Sequence, residues 1–291
     1  MRGTLFVVAT PIGNLEDISM RALRVLREVD LIAAEDTRRT AKLLAHYEIR
    51  VPMVSLHEHN ERREAPRLLA RLTAGESIAL VSDAGTPTIS DPGRDLVGAA
   101  RQQGVSVVPL PGPSAVTTAL AGSGFPADRF LFMGFPPRSG SAREEWLEAL
   151  ASEPGAVVCF EAPSRIHETL RDIAAAVGKR PILACRELTK LHEQLVEYTI
   201  ETDIPARGEF TLVVAPQLAE ASEPSQFAPD PTLVSRLVDE LANGVQVDRQ
   251  TAVAMAARAF QVKPSRIKNI IKKHDISVKQ QKQQSGQAGP S

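Results

Sequence analysis

The sequence of 291 residues contains few aromatic residues, only two cysteines and no long apolar run. Because aromatic residues make up 4%, we expect no wide aromatic platform for stacking nucleic-acid bases. Cys159 and Cys185 both lie in apolar segments, and we interpret them as small buried side chains of a protein in a reducing compartment, the cytoplasm. With no apolar run of about 18 residues and no basic, then apolar N-terminus, the sequence predicts neither a membrane span nor secretion.

Common motifs of nucleotide binding and hydrolysis are also absent from the sequence. No G-x-G-x-x-G follows the first predicted strand, and neither a P-loop nor a G-x-S-x-G nucleophile motif occurs. His57 and His59 are two residues apart with no third ligand in register, so we predict no metal site. The sequence therefore disfavours a dinucleotide enzyme, a P-loop enzyme, a serine hydrolase and a metalloenzyme.

The composition is that of a soluble globular protein, with 43% apolar and 24% charged residues. The length leaves room for two domains of ordinary size. A net charge of −1 argues against steering of the whole molecule toward nucleic acid, although it leaves room for a local basic patch.

Short β-branched runs alternate with amphipathic helical patterns along the first 216 residues. This alternation predicts an α/β fold with βαβ units and a mainly parallel sheet. A second α/β series begins near Pro126 and is predicted to end with a hairpin of residues 194–201 and 208–216. Ser19 and Asn60 are predicted helix N-caps. In the first series the predicted strands are 4–10, 30–35, 51–56, 77–82 and 105–110.

The predicted organisation has two α/β domains with a cleft between them, followed by a small helical module. Polar, proline-bearing sequence separates the second domain from this module, and the last residues are of low complexity. The predicted ranges are 1–122 for the first domain, 123–217 for the second domain, 218–231 for the linker, 232–278 for the helix-turn-helix-like module and 279–291 for a disordered tail.

Four loops that follow predicted strands are rich in glycine, proline and small polar residues. They cover residues 9–14, 35–38, 82–87 and 109–115. Open parallel sheets bind ligands at the carboxyl ends of their strands, and such loops bring backbone groups close to a ligand. Any one of these loops is explained by turn formation alone, but four at one sheet edge predict a ligand site.

The motifs of these loops resemble those of a known family. VATPIGNLEDIS, AAEDTR, LHEHNE, ALVSDAGTP, DPG, VVPLPGPSA and RELTK occur in this order with β/α spacing. They are similar to the bacterial 16S ribosomal RNA cytidine 2′-O-methyltransferases of the tetrapyrrole-methylase superfamily, over about residues 3–215. The resemblance implies two α/β domains that enclose S-adenosylmethionine, a homodimer, and the 16S rRNA of the 30S subunit as partner.

The resemblance also implies which residues bind the cofactor. Most lie in the first, third and fourth of the four loops, and one lies at the end of a strand in the second domain. The implied cofactor-binding residues are Pro11, Gly13, Asp83, Ala84, Gly85, Thr86, Gly112, Ser114, Ala115 and Phe160.

Methyl transfer to a ribose hydroxyl benefits from a base that accepts the proton. Asp36 is our first candidate because it ends a strand beside the cofactor loops, although its position equally fits a helix N-cap. Glu187 and Lys190 are the candidates from the second domain, with a surface ion pair as the alternative. Asp83 is a further possible base. We also predict that Arg38, Arg39 and Arg186 contact RNA phosphates, with a solvated surface as the alternative.

The C-terminal module is strongly basic. From Arg258 to Lys282 there are eight basic residues and one acidic residue, a net charge of +7. Charge concentrated in a helix-turn-helix-like module favours nucleic-acid binding over a merely solvated helix. The residues predicted to bind RNA here are Arg266, Lys268, Lys272 and Lys273.

Three functions remain open on the sequence. The first is an S-adenosylmethionine-dependent rRNA methyltransferase. The second is a methyltransferase for a small tetrapyrrole, which leaves the basic module unexplained. The third is a non-enzymatic regulator that senses a ligand, which leaves the AEDTR and RELTK clusters unexplained.

Overall fold

A computed structural model describes residues 3–217, 230–244, 247–260, 264–272 and 274. The chain forms two compact units, Met1–Leu218 and Ala219–Ser291. The predicted linker and tail lie largely or wholly outside the described residues. Among the helices that the structure describes, none has the length and apolar character needed to cross a bilayer.

The first sheet has five parallel strands in the order β3-β2-β4-β1-β5. The predicted parallel arrangement is therefore confirmed, with strands shorter than the apolar runs that predicted them. The strands are β1 (Thr4–Val8), β2 (Leu31–Ala34), β3 (Met53–Ser55), β4 (Ile78–Val81) and β5 (Ser106–Leu110).

Helices cover both faces of this sheet because its strands are apolar on both sides. Along β1, Leu5 belongs to one hydrophobic cluster and Val8 belongs to the other. The cluster that contains Leu5 includes residues of α3 and α4, and the cluster that contains Val8 includes residues of α1 and α2. These helices are α1 (Met20–Glu28), α2 (Thr37–His46), α3 (Glu61–Thr73) and α4 (Arg94–Gln102).

The two predicted N-caps have different outcomes. The Ser19 hydroxyl accepts a hydrogen bond from the amide of Ala22 at 3.1 Å, which confirms it as the cap of α1. Asn60 precedes α3, but its side chain makes no capping bond to the helix. It accepts from the His57 amide at 2.8 Å and donates to the Ser55 carbonyl at 3.1 Å, so it closes the preceding turn instead.

The second sheet is mixed, in the order β6-β7-β10-β8-β9. The predicted hairpin of 194–201 with 208–216 is wrong, because β8 lies between β9 and β10 and pairs with both. All residues of β8 and β10 are buried, whereas β9 is mainly exposed, so burial places β9 at the edge. The strands are β6 (Phe130–Phe132), β7 (Ala156–Glu161), β8 (Ile182–Arg186), β9 (Gln194–Glu197) and β10 (Phe210–Val214).

Helix α5 (Ala115–Ser123) joins the two sheets into one compact unit. It follows β5 of the first sheet, yet its side chains Val116 and Leu120 pack against Val158 and Val213 of the second sheet. Both cysteines are free and buried in the second sheet, as interpreted from the sequence. Helices α6 (Ser141–Ser152) and α7 (Ile166–Val177) pack on the same sheet.

The second compact unit contains a helical core. Helices α8 (Pro231–Gly244) and α9 (Arg249–Ala259) and a third helix over 264–272 contribute buried residues to one cluster. The predicted helical module is therefore confirmed. Its buried side chains include Val234, Val238, Val253, Ile267 and Ile271.

Candidate active site

The structure brings together the four loops at the carboxyl edge of the first sheet. The loops after β1 and β4 pair through the backbones of Thr10 and Gly85, with two N–H···O bonds of 2.9 Å. The Thr86 hydroxyl donates to the Pro113 carbonyl at 3.1 Å, which ties the loop after β4 to the loop after β5. These bonds fix the loop backbones around a shared space.

That space is a cavity of about 440 Å³ between the loops and the second sheet. Its size falls within the range of about 300–1,000 Å³ found for small-molecule sites. The second sheet contributes an aromatic wall, in which the rings of Phe135 and Phe160 lie 5.5 Å apart. The cavity thus combines backbone-rich loops on one side with apolar rings on the other.

Seven of the ten residues implied as cofactor contacts line this cavity. They are Asp83, Ala84, Gly85, Thr86, Ser114, Ala115 and Phe160. The other three lie near it but not on its lining. Pro11 lines a smaller neighbouring cavity of about 160 Å³, together with Arg39 and Asp83.

Gly13 and Gly112 serve close packing around the loops. A Cβ atom on Gly112 would lie 2.8 Å from the Cβ of Ala9, so the loop after β5 passes directly over the end of β1. A Cβ atom on Gly13 would clash with Thr189 and Lys190, so the first loop touches the RELTK segment of the second sheet. Both glycines shape the cavity without lining it.

Asp36 has the capping role that its position also predicted. Its Oδ1 accepts from the Arg38 amide at 2.9 Å at the start of α2, and its Oδ2 pairs with the Arg38 guanidinium at 2.7 Å. These bonds hold the pKa of the Asp36 carboxyl well below its usual range. A carboxylate stabilised in this way is a weak proton acceptor, and Asp36 does not line the cavity, so the structure argues against Asp36 as the base.

Glu187 and Lys190 form an ion pair of 2.8 Å, the alternative that the sequence left open. Lys190 also pairs with Glu209 at 3.0 Å. The Lys190 hydrogen bond lowers the pKa of Glu187, and the two carboxylates outweigh burial and raise the pKa of Lys190. The lowered pKa makes the Glu187 carboxylate a weak base, and Lys190, held as an ammonium, has no lone pair with which to accept a proton.

Five acidic residues line the cavity, and three of them, Glu35, Asp83 and Asp91, come from the loops of the first sheet. Sequence reasoning gave a role only to Asp83 among the five. Glu35 and Asp91 line the cavity beside Asp83. The Asp83 amide donates to Glu35 at 3.1 Å, and the Asp36 amide donates to Asp83 at 3.0 Å. Burial, opposed by the backbone bond from Asp83, raises the pKa of Glu35. Burial also raises the pKa of Asp91, to about 6.

A buried network holds the opposite wall of the cavity. The Glu161 carboxylate is 0% exposed and accepts from the Ala162 amide at 2.6 Å and from the Thr169 hydroxyl at 2.5 Å. It also pairs with the Arg165 guanidinium at 2.6 Å. Arg143 donates to the same Thr169 hydroxyl at 3.1 Å. This network fixes the end of β7, where Phe160 faces the cavity.

The predicted phosphate contacts differ in exposure. Arg38 is exposed and pairs with Asp36, and the exposed Arg39, which lines the cavity, pairs with Asp83 at 3.4 Å. Arg186 is only 5% exposed and donates to the Arg207 carbonyl at 2.7 Å and to Gln194 at 2.9 Å. Arg186 stays a predicted phosphate contact, although its guanidinium is buried and hydrogen-bonded within the second sheet.

The basic module presents part of its predicted RNA-binding set to solvent. Lys268 and Lys272 are exposed on the third helix, while Ile267 and Ile271 point into the core. Arg266 on the same helix is half-buried. Lys273 lies outside the described residues. One exposed basic helix face is therefore present in this unit.

The chain is similar to named relatives over most of its length. The Tetrapyrrole (Corrin/Porphyrin) Methylases family matches residues 4–202. A Pseudomonas aeruginosa protein named Ribosomal RNA small subunit methyltransferase I is 47% identical over 249 residues, 82% of this chain and 88% of the relative. A Xylella fastidiosa protein of the same name is 50% identical over 221 residues, 73% of this chain and 81% of the relative.

Solved structures share the fold at low sequence identity. The methyltransferase CobJ superposes with a TM-score of 0.57 at 19% identity, covering 74% of this chain and 95% of that chain. A Thermus thermophilus uroporphyrin-III C-methyl transferase, complexed with S-adenyl homocysteine, gives a TM-score of 0.52 at 19% identity, covering 73% and 97%. The chain therefore belongs to the tetrapyrrole methylases and, among them, to the family of small-subunit ribosomal RNA methyltransferases I.

Proposed function

We propose that the protein transfers a methyl group from S-adenosylmethionine to small-subunit ribosomal RNA, on the 2′-hydroxyl of a cytidine ribose in 16S rRNA. The observation that carries this proposal is the identity of 46–50% with relatives named Ribosomal RNA small subunit methyltransferase I. The sequence resemblance supplies the acceptor, a cytidine 2′-hydroxyl. Because the substrate is part of the ribosome, we place the enzyme in the cytoplasm, and we propose a homodimer as the active form.

The cavity fits the cofactor in size and in chemistry. S-adenosylmethionine carries a sulfonium, an amino group and a carboxylate besides its nucleoside. The carboxylates of Glu35 and Asp83 suit its positive groups, and the rings of Phe135 and Phe160 suit an apolar or aromatic part. The close packing of Gly112 on Ala9 keeps the loop after β5 against the end of β1.

The chain's residues have three tasks in this reaction. When bound, S-adenosylmethionine supplies a methyl group on a sulfonium cation, which is already reactive toward an oxygen nucleophile. The bonded loops position the donor, because Thr10–Gly85 and Thr86–Pro113 contacts fix their backbones. Phe135 and Phe160 exclude water from the reacting centre. Arg39 in the cavity lining and the exposed Arg38 next to it on α2 hold phosphates of the acceptor strand.

Tritiated methyl transfer tests the proposal against the alternatives left by the sequence. The acceptors are 30S subunits, deproteinised 16S rRNA and uroporphyrinogen III. We expect label in the RNA of 30S subunits and, after nuclease digestion, in a 2′-O-methylated nucleoside. Label in the tetrapyrrole alone would contradict the proposed substrate, and no transfer to any acceptor despite cofactor binding would favour a ligand-sensing protein.

Gly112→Ala is expected to weaken S-adenosylmethionine binding at least tenfold. The added methyl group lies 2.8 Å from the Cβ of Ala9, so the loop carrying Ser114 and Ala115 has to move away from β1. Titration calorimetry measures the effect. Gly98→Ala adds the same methyl group inside α4, where no atom lies within 4 Å, and serves as the matched control. Equal affinities in both variants would place the cofactor elsewhere.

Asp36→Asn is expected to leave the single-turnover methyl-transfer rate within about threefold of wild type. Asparagine is an equally good N-cap, and the ionised carboxylate paired with Arg38 is too weak a base for its loss to matter. Removal of a true general base would slow the reaction by roughly 100- to 10,000-fold. A reduction of that size on 30S subunits would restore Asp36 as the base.

A further inference from the structure

Asp91 lies in the cavity on a loop whose two ends are fixed. The loop runs from β4 to α4, and its start is tied down by the bond from Thr86 to the Pro113 carbonyl. Its end is held by Glu61, which accepts from the Gly93 amide at 3.1 Å. Between them, Thr88 and Ser90 adopt positive φ values of 74° and 61°. Non-glycine residues keep this conformation only where the surroundings impose it, commonly at functional sites.

The carboxylates of Glu35, Asp83 and Asp91 differ in the hydrogen bonds and ion pairs that they make within the protein. Glu35 accepts from the Asp83 amide, and Asp83 accepts from the Asp36 amide and pairs with Arg39, so both brace the loops. The buried Ser82 hydroxyl donates to the Ala84 and Gly85 carbonyls at 3.5 Å, and it also lowers the pKa of Asp91. None of the ion pairs found within the described part of the chain involves Asp91. Of the three, it is the carboxylate left to act on a ligand in the cavity.

We propose that the Asp91 carboxylate accepts the proton of the attacking ribose hydroxyl, a role that rests on the proposed function. As the hydroxyl oxygen bonds to the methyl carbon, the carbon–sulfur bond breaks and its electron pair stays on sulfur. The hydroxyl proton passes to the Asp91 carboxylate and then to solvent. Ser82 is the positioning residue, because its buried hydroxyl favours the ionised carboxylate.

The electrostatics of the cavity suit this role. Burial is the main cause that raises the pKa of Asp91 to about 6, the Ser82 bond opposes it, and the charges of Glu35 and Asp83 add to it. A base whose pKa lies just below working pH is ionised and still basic enough to take a proton. The charged groups that face Asp91 around the cavity are Glu35, Arg39, Asp83, Glu161 and Glu209.

The first experiment measures single-turnover methylation of 30S subunits across pH 5–9 with the full chain. In the wild type the rate rises about tenfold per pH unit below about 6 and is level above it, because Asp91 must be ionised. Asp91→Asn slows the plateau by roughly 100- to 10,000-fold and removes the bend near pH 6, and Asp91→Glu restores the bend. Calorimetry shows S-adenosylmethionine affinity within about threefold of wild type for both variants.

Ser82→Ala is a second test that keeps the carboxylate. Loss of the hydroxyl removes a bond that lowers the Asp91 pKa, so the bend in the rate profile moves to higher pH. Carbon-13 NMR of the aspartate carboxyls, measured without cofactor, follows the same titration, and the resonance that titrates near pH 6 is absent from Asp91→Asn.

A wild type that methylates no small-subunit RNA overturns the proposed function. Active wild-type enzyme with an unchanged rate and profile in Asp91→Asn overturns the role of Asp91 alone. If Asp91→Asn does not fold, Ser82→Ala decides the question. A bend in its rate profile that stays in place, while the NMR titration of Asp91 moves, overturns the role of Asp91 equally.

Discussion

Glu161→Ala is expected to lower the melting temperature by about 6–12 °C. Glu161 is fully buried and accepts hydrogen bonds from the Ala162 amide, the Thr169 hydroxyl and the Arg165 guanidinium. Removing one partner of a buried ion pair leaves the others without an acceptor and costs about 3–5 kcal/mol. Because Arg165 retains some solvent exposure, the lower end applies, and about 3 kcal/mol corresponds to this shift for a unit of some 200 residues.

Calorimetric unfolding with a matched variant tests this expectation. Glu168 directly precedes Thr169 but lies on the exposed face of α7, so Glu168→Ala removes an equal side chain without removing a buried group. We expect its melting temperature to stay within about 1 °C of wild type. If the two variants unfold at the same temperature, the buried network does not stabilise the wall of the cavity. Glu161→Gln, which keeps the acceptor oxygen, should fall between them.

The first sheet was predictable from local signals, whereas the second was not. Each βα unit of the first sheet carries its own apolar run and its own glycine- or proline-bearing loop, and parallel strands joined by crossovers follow from that alternation. In the second sheet, β10 inserts between β7 and β8, a pairing of distant segments that periodicity does not encode. The packing of α5 on the second sheet likewise depends on contacts between segments that are distant in the sequence.

The site divides in the same way between local and non-local information. Residues such as Gly85, Ser114 and Ala115 are predictable because their loops have distinctive composition. Asp91 lies in the DPG motif, yet its significance depends on Ser82 and Glu35, which only the fold brings beside it. The burial of Arg186 was not predictable, because a charge in a sequence gives no sign that a strand will bury it.

A chain that ends at residue 229 is expected to keep its cofactor affinity and to bind 30S subunits roughly 100-fold more weakly at about 0.1 M salt. The cavity lies wholly within the first compact unit, whereas the segment 258–282, with its net charge of +7, belongs to the second. Each phosphate that the protein no longer neutralises flattens the log–log salt dependence by about 0.7–0.9, so three such phosphates lower the slope by roughly 2–3. Calorimetry with S-adenosylmethionine and filter binding across a salt series measure the two quantities separately.

A variant of the full chain separates charge from the mere presence of the module. Lys268 and Lys272 are exposed beside the buried Ile267 and Ile271, so replacing both lysines with alanine leaves the helical core intact. We expect this double variant to lower the salt slope by about 1.4–1.8, the share of two phosphates. Arg236→Ala is the control, because the exposed Arg236 of α8 already pairs with Glu240 at 2.9 Å. This variant should leave the slope of the salt dependence unchanged. Parallel salt lines of equal affinity for the wild type, the truncated chain and the lysine variant would show that these helices do not touch RNA. RNA affinity would then reside in the first unit, where Arg39 lines the cavity and Arg38 is exposed next to it on α2.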